Sequence, residues 1–276
     1  MGNDMDEANA PLDADPWHVL RRHTAARIAL GHAGISQPTR VQLDFQLAHA
    51  RARDAVHTAL DGPALARDIG AAWPELSPAL LLRSAAGQRS TYLQRPDLGR
   101  RLDADARARL AAGRSGHAAA RVDLALVVAD GLSARAVAAN AAPLLRALRT
   151  RLAPDGWRLA PPCIVEQGRV AVGDEVGELQ GADVVVVLIG ERPGLSAPDS
   201  MGAYLTWAPR VGLTDESRNC ISNIRPAGQA PGEVAARLDY LLREARRRRL
   251  SGVALKDDST IDAGQVTHAQ ARPFLL

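Results

Sequence analysis

The residue types that perform chemistry in enzymes are present in this chain, but their spacing completes no self-sufficient catalytic site. Its 276 residues include seven histidines and two cysteines. Neither set has metal-binding spacing, and Cys163 and Cys220 belong to no CxxC pair. The chain has no GxxxxGK[ST] phosphate loop, no GxGxxG after a strand and no GxSxG nucleophile elbow. We therefore predict no catalytic residue and no protein metal ligand in this chain.

Asp130 is a candidate catalytic carboxylate, because it comes just after the apolar run VDLALVV and could stand at the end of a buried strand. An aspartate between a strand and a helix is also a common N-cap, which accepts hydrogen bonds from the first helical N–H groups. The position favours the N-cap interpretation over the catalytic one.

Apolar runs of strand length alternate with helical patterns in the C-terminal part of the chain. The strand candidates are VDLALVV (122–128), DVVVVLI (183–189), GAYLTWAP (202–209) and SGVALK (251–256). Helices are indicated over about 134–152 and 231–250, the second ending in RRRRL. Continuous apolar strands between helices predict an α/β fold, with an open, mostly parallel, Rossmann-like sheet covered on both faces.

The N-terminal part reads as helical, with no strong strand candidate. Asp15 and Pro16 suit the N-cap and first position of a short helix. A longer helix is indicated over about 39–60, with an apolar stripe at Phe45, Ala48, Ala52, Ala55 and Ala59. We predict three parts: a disordered tail (1–15), a helical region (16–116) and an α/β domain (117–276).

In open α/β sheets, ligands bind outside the carboxyl ends of the strands. The candidate rim loops are DGLS (130–133), EQGRVAVGDEVGE (166–178), GERPGL (190–195) and NCISNIRP (219–226). Their Gly, Pro and Asn residues let the backbone approach a ligand closely, although ordinary turns have the same composition.

Composition argues against several classes of protein. The net charge is only +3, arginines and acidic residues are interspersed, and aromatic residues make up 3%, so a nucleic-acid binder is not indicated. No apolar run reaches membrane-spanning length, and the N-terminus does not resemble a secretory signal. We expect a protein of the cytosol or of a compartment enclosed within it, with no membrane partner.

Three blocks of sequence go beyond fold class. They are TAARIALGHAGISQPTR with LDFQLAHARARDAVH, then GRVAVGDEVGE with ADVVVVLIGERPGL, and finally DESRNCISNIRPAG. Together they resemble the small subunit of adenosylcobalamin-dependent ethanolamine ammonia-lyase, over about residues 17 to 255.

The resemblance implies a subunit of a carbon–nitrogen lyase that converts ethanolamine to acetaldehyde and ammonia by radical chemistry, which homolysis of the cofactor's cobalt–carbon bond starts. It also implies that the large subunit holds ethanolamine, and that the small subunit helps to bind adenosylcobalamin at the interface within an oligomer of large–small pairs. The DxHxxG motif of other cobalamin proteins is absent, so the cofactor is expected to keep its own lower base on cobalt.

The family's cofactor-binding positions carry over to Val170, Glu191 and Cys220. By the same resemblance, Val170 offers an apolar wall or a backbone group, Glu191 accepts hydrogen bonds from the corrin's amide arms, and Cys220 packs against the cofactor. From the residues alone, Val170 as plain core, Glu191 in a loop ion pair and Cys220 as an inert thiol stay open. A standalone α/β protein that binds a nucleotide or a sugar is the alternative function.

Overall fold

A computed structural model of the chain describes residues 15–116 and 122–259. Nearly all of the predicted disordered tail therefore lies outside the described residues. In the described part, the α-helices are α1 (Thr39–His57), α2 (Gly62–Ala72), α3 (Arg89–Gln94), α4 (Ala104–Gly116), α5 (Ala134–Leu152), α6 (Val172–Gln180) and α7 (Pro231–Arg248). The strands are β1 (Leu80–Arg83), β2 (Val122–Ala129), β3 (Cys163–Glu166), β4 (Ala182–Gly190), β5 (Met201–Trp207) and β6 (Arg218–Ile224).

The strands form one six-stranded sheet in the order β1-β3-β2-β4-β5-β6. The first four strands in that order are parallel, whereas β4, β5 and β6 pair antiparallel. The predicted α/β class with a mostly parallel sheet is confirmed. Because β2, β3 and β4 run in one direction, the turns after them meet at one edge of the sheet.

Alternating side chains of the central strands supply two separate cores. Leu124, Leu126 and Val128 of β2 pack with helices α2, α5 and α7. Ala125, Val127 and Ala129 point to the other face and pack with α4 and α6. The two-residue period of a strand therefore explains why every residue from 124 to 129 is apolar: both faces of β2 are buried.

Several sequence-based boundaries differ from the structure. Strands β1 and β3 were not predicted, and β1 adds an edge strand from the region interpreted as helical. The segment interpreted as the loop NCISNIRP is mostly strand β6, and α6 occupies much of the loop predicted over 166–178. The predicted strand SGVALK is wrong, since Gly252–Ala254 forms a 3-10 turn that Gly252 enters at a φ of 73°.

The N-terminal segment matches its prediction at the start and departs from it along α1. Residues Pro16–His23 form a short 3-10 helix, and the side chain of Asp15 accepts a hydrogen bond from the Trp17 N–H at 2.9 Å. Of the residues in α1, only Ala55 is buried. The predicted apolar stripe therefore exists in the sequence, but this chain buries little more than its C-terminal end.

Candidate functional site

A shallow cavity of about 220 Å³ opens at the carboxyl edge of the sheet, where β2 and β4 end. Its lining includes Val170 and Glu191 together with Tyr92, Arg169 and Tyr204. The turn after β2 forms part of the wall. In this turn Gly131 has a φ of 57°, and a Cβ there would overlap the carbonyl oxygen of Gly190, so the close approach of the β2 and β4 ends requires glycine.

Glu191 is the first residue after β4, and neighbouring loops hold its carboxylate in place. The Ser200 hydroxyl donates a hydrogen bond to Glu191 Oε2, and the Asn223 N–H lies 3.3 Å from the same oxygen. The Glu191 N–H donates to the Ser200 carbonyl at 2.9 Å. No ion pair of Glu191 occurs within the described residues. The carboxylate is therefore positioned by neutral donors, and its remaining lone pairs can accept hydrogen bonds from a ligand.

Cys220 lies next to the cavity, through its partner in the sheet. In the antiparallel ladder between β5 and β6 it stands opposite Tyr204, so the two side chains lie on the same face of the sheet. Cys220 is exposed. Desolvation raises the pKa of its thiol; the Tyr204 hydroxyl lowers this pKa and the Glu191 carboxylate raises it. The thiol is thus the protonated, weakly polar form at neutral pH, which suits packing better than nucleophilic attack.

Val170 stands in the loop between β3 and α6, partly buried against the core cluster on that face of the sheet. Its carbonyl accepts a hydrogen bond from the Gly173 N–H at 3.1 Å, which fixes the loop at the start of α6. The side chain contributes to the cavity and also to a neighbouring groove of about 380 Å³ lined by Arg100, Arg169 and Leu213. The apolar surface at Val170 therefore joins two concave regions.

Asp130 does not cap helix α5, so that interpretation was wrong. The N-cap is Ser133, whose hydroxyl accepts from the Ala136 N–H at 3.2 Å. The turn delays the helix by three residues, and the Asp130 carboxylate points instead to the adjacent loop. There it accepts from the Gly168 N–H at 3.2 Å and lies 3.5 Å from Arg89 Nη1.

Burial of Asp130 has an electrostatic consequence. Desolvation raises the pKa of this carboxyl to about 6, against the lowering effects of backbone N–H donors and of Arg89. The group is 1% exposed. The buried carboxylate therefore joins the end of β2 to the loop after β3 and is not exposed to a substrate.

Two guanidinium groups lie over the ring of Tyr92 in the wall of the cavity. The Arg89 and Arg169 Cζ atoms lie 4.8 and 4.2 Å from the centre of its ring. The Tyr92 hydroxyl lies 3.3 Å from the Gly168 carbonyl oxygen, to which it donates. Desolvation raises the pKa of Tyr92 to about 12, so the phenol stays protonated and the ring keeps the negative face that attracts both cations.

Sequence reasoning found Val170 and Glu191 but missed three other lining residues. Arg169 directly precedes Val170 in the block GRVAVGDEVGE. Its position next to a predicted cofactor-binding residue could have identified it as a candidate. Tyr204 lies in a predicted strand. Placing it on the same face of the sheet as Cys220 also required the prediction of strand β6, which was interpreted as a loop. Tyr92, in the short helix α3, carries no local signal.

Two negative findings apply to the part of the chain that the structure describes. No three or more His, Cys, Asp or Glu side chains are grouped in a way that could hold a metal ion. None of the helices there combines the length and apolar character of a membrane span.

Comparison with known proteins agrees with the family resemblance. The model of the family described as "Ethanolamine ammonia-lyase light chain (EutC)" matches residues 14–256. The chain belongs to this family. It is 58% identical to the ethanolamine ammonia-lyase small subunit of Azotobacter vinelandii, over 91% of this chain and 92% of that one. It is 54% identical to that of Ralstonia nicotianae over the full length of both, and 55% identical to that of Pseudomonas aeruginosa over 95% and 94%.

A lyase of this family is expected to use a cobalamin, and the donor set at the cavity fits such a group. Glu191 is a positioned acceptor for amide N–H groups, and Val170 is an apolar contact for a macrocycle. The Nε atom of Arg169, buried beside the cavity, has no hydrogen-bond partner. Such orphaned buried donors are rare in native folds and call for an explanation.

Proposed function

We propose that this chain is the cofactor-holding small subunit of an adenosylcobalamin-dependent ethanolamine ammonia-lyase. In this proposal it binds the corrinoid at the carboxyl edge of the sheet, against the large subunit. The observation that carries the proposal is the meeting of Val170, Glu191 and the Tyr204–Cys220 pair at one concave edge. When bound, the cofactor supplies the radical chemistry through homolysis of its cobalt–carbon bond.

The shape of the edge supports a shared site. The cavity and the adjoining groove measure about 220 and 380 Å³. These volumes lie near the lower end of the roughly 300–1,000 Å³ of pockets for drug-sized ligands, which are smaller than a corrinoid. This chain can thus cover part of the cofactor, and a second surface has to cover the rest. The name "small subunit" of the relatives makes a large subunit the natural source of that surface.

Each proposed contact has a distinct physical role. Glu191 accepts N–H groups of amide side arms with lone pairs that Ser200 and Asn223 leave free. Val170 excludes water from one side of the ligand. Cys220, opposite Tyr204 in the sheet, fills space without competing as a nucleophile, because its pKa is raised. The location of this protein, in the cytoplasm or inside a bacterial microcompartment, stays a prediction.

Reconstitution tests the proposal directly. We expect the purified chain alone to release no acetaldehyde from ethanolamine and adenosylcobalamin, and the addition of the matched large subunit to restore turnover. A reconstituted mixture without activity, or a chain that binds a nucleotide or a sugar tightly and no corrinoid, would contradict the proposal and favour a standalone binding protein.

The substitution Glu191→Ala sharpens the site assignment. Loss of a hydrogen bond to a charged acceptor costs about 1.5–3 kcal/mol, so we expect cofactor affinity in the reconstituted complex to fall roughly tenfold or more with the fold intact. The matched control is Glu233→Ala, which removes an exposed glutamate far along the chain. Equilibrium dialysis with adenosylcobalamin measures both. Equal affinity of the two variants would remove Glu191 from the site.

A further inference from the structure

Four arginines stand around the proposed cofactor site without a carboxylate partner in the described part of the chain. Arg169 and Arg192 line the cavity, Arg100 lines the groove beside it, and Arg101 lines the next depression along the same loop. This contrasts with the arginines nearby that do form ion pairs: Arg95 with Asp97 at 2.7 Å, Arg107 with Glu175 at 2.8 Å, and Arg218 with Asp174 at 2.5 Å. The same lining contains two carboxylates, Glu191 in the cavity and Asp215 in the groove, so four arginines against two carboxylates leave a net positive charge.

The groove beside Val170 concentrates this charge. Its lining contains Arg100, Arg169 and Arg218 and one carboxylate, Asp215. The charge of Arg218 is already met by the buried Asp174. That leaves two arginines against one aspartate in a concave surface, where low-dielectric walls strengthen the attraction for an anion.

Arg169 differs from Arg89, with which it shares Tyr92. Both guanidinium groups stack on the same ring, but only Arg89 has a carboxylate beside it, Asp130 at 3.5 Å. The Arg169 Nη2 donates to the Tyr92 carbonyl at 3.3 Å, and its Nε is buried without a partner. A cation that is held in place and partly desolvated without a counter-charge is unfavourable unless a ligand supplies one.

The backbone at this position does not offer an alternative anion site. The first N–H groups of α6 are already used: those of Val172, Gly173 and Asp174 donate to carbonyl oxygens three residues earlier at 2.9, 3.1 and 3.2 Å. Recognition of an anion here has to come from the arginine side chains.

We propose that Arg169, assisted by Arg100, binds the phosphodiester of the cobalamin nucleotide loop. This inference rests on the proposed function. Apart from the corrin ring itself, this phosphodiester is the anionic group of the cofactor, and a guanidinium fork matches phosphate oxygens in a bidentate manner. Stacking on Tyr92 orients the guanidinium before the ligand arrives, which lowers the entropy lost on binding.

The test compares two corrinoids on the reconstituted large–small complex by equilibrium dialysis. Adenosylcobalamin contains the phosphodiester, whereas adenosylcobinamide has the same ring and adenosyl group but lacks the phosphodiester and the lower base. We expect Arg169→Gln to weaken adenosylcobalamin binding about tenfold and to leave adenosylcobinamide binding within about twofold. Arg100→Gln should give a smaller loss with the same selectivity, and Arg67→Gln, an exposed arginine on α2, should change neither.

Two further measurements keep the proposal open to refutation. Arg169→Lys, which keeps the charge but not the fork, should recover part of the adenosylcobalamin affinity. Inorganic phosphate should weaken adenosylcobalamin binding to the wild-type complex more than sodium chloride at equal ionic strength does, and this excess should vanish in Arg169→Gln.

The outcomes separate the possible failures. Equal weakening of both corrinoids, no weakening, or an unchanged phosphate effect would overturn the phosphodiester assignment. Loss of large-subunit assembly in Arg169→Gln without cofactor would assign the arginine to the subunit interface and also overturn it. A wild-type complex that binds neither corrinoid would instead refute the proposed function.

Discussion

Helices α1 and α5 have the same length, 19 residues each, and very different surroundings. Ten residues of α5 are buried, including Leu144, Leu145 and Leu148. In α1 only Ala55 is buried, while Leu43, Phe45 and Leu47 are exposed. An apolar stripe in a sequence thus shows which face of a helix would be buried, but not whether the same chain buries it.

The two helices also start differently. Helix α5 begins after Ser133, whose side chain caps the helix and also donates to the Pro198 carbonyl at 2.9 Å. Helix α1 begins after Pro38, with no side-chain cap. Because most helical stability in proteins comes from tertiary packing, α1 depends on its C-terminal end, where the Val56 carbonyl accepts from Arg89 Nε at 2.6 Å.

The largest change in the free energy of unfolding is expected when one leucine of α5 is replaced by alanine. Leu144 is 0% exposed within the main core cluster, so Leu144→Ala should lower the free energy of unfolding by about 2–5 kcal/mol, through lost transfer energy and the cavity left behind. Urea denaturation of the isolated chain measures the effect. Leu144→Met, which nearly conserves volume, should cost less than about 1.5 kcal/mol. A loss below 1 kcal/mol for the alanine variant would mean that this core relaxes around the site.

The same contrast explains how far the fold was predictable. Strands β2, β4 and β5 were predicted because each contains a run of apolar residues that is too long to be expected by chance in a chain of this composition. Strands β1 and β3 have only four residues each, and their burial depends on strands elsewhere in the chain. Strand β6 contains Asn219, Ser222 and Asn223, since half of it faces outward, and this polarity made it look like a loop.

The site was predictable to the extent that it is local in sequence. Val170 and Glu191 each lie in a block of sequence that carried the family resemblance, and they share a cavity because parallel strands end at one edge of the sheet. Tyr92 reaches the same cavity from a different part of the chain, through stacking between Arg89 and Arg169. Contacts of that kind depend on tertiary packing and leave no periodic pattern in one sequence.

An intermediate effect on the free energy of unfolding is expected from a change of pH. It acts through Asp130, the buried carboxylate that precedes α5; no such carboxylate precedes α1 in the described residues. Asp130 has a pKa of about 6 in the folded chain, raised mainly by desolvation, against about 3.9 when unfolded. The folded state therefore binds this proton more tightly, and the stability it contributes is present below pH 4 and is lost as pH rises towards 6. We expect a decrease of roughly 1–3 kcal/mol over this window.

Urea midpoints between pH 4 and 6.5 measure this decrease. Asp130→Asn should flatten the profile, and the remaining slope should come from Asp174, whose pKa desolvation also raises to about 6. Carboxylates with lowered pKa values, such as Asp123 beside Arg158, titrate below the window. An unchanged profile in Asp130→Asn would show that its proton is not taken up on folding.

The smallest effect is expected on α1. Leu47 is 50% exposed, so Leu47→Ala should change the free energy of unfolding of the isolated chain by less than about 0.5 kcal/mol. Urea denaturation at two protein concentrations measures it, with the α5 variant Leu144→Ala as the contrasting case. A loss above 1.5 kcal/mol that grows with concentration would mean that copies of the chain cover the α1 face in solution. In that case α1 would be exposed in the single chain but buried in the associated form, where a second copy covers it. The stabilisation that α1 gains from this contact would then depend on protein concentration.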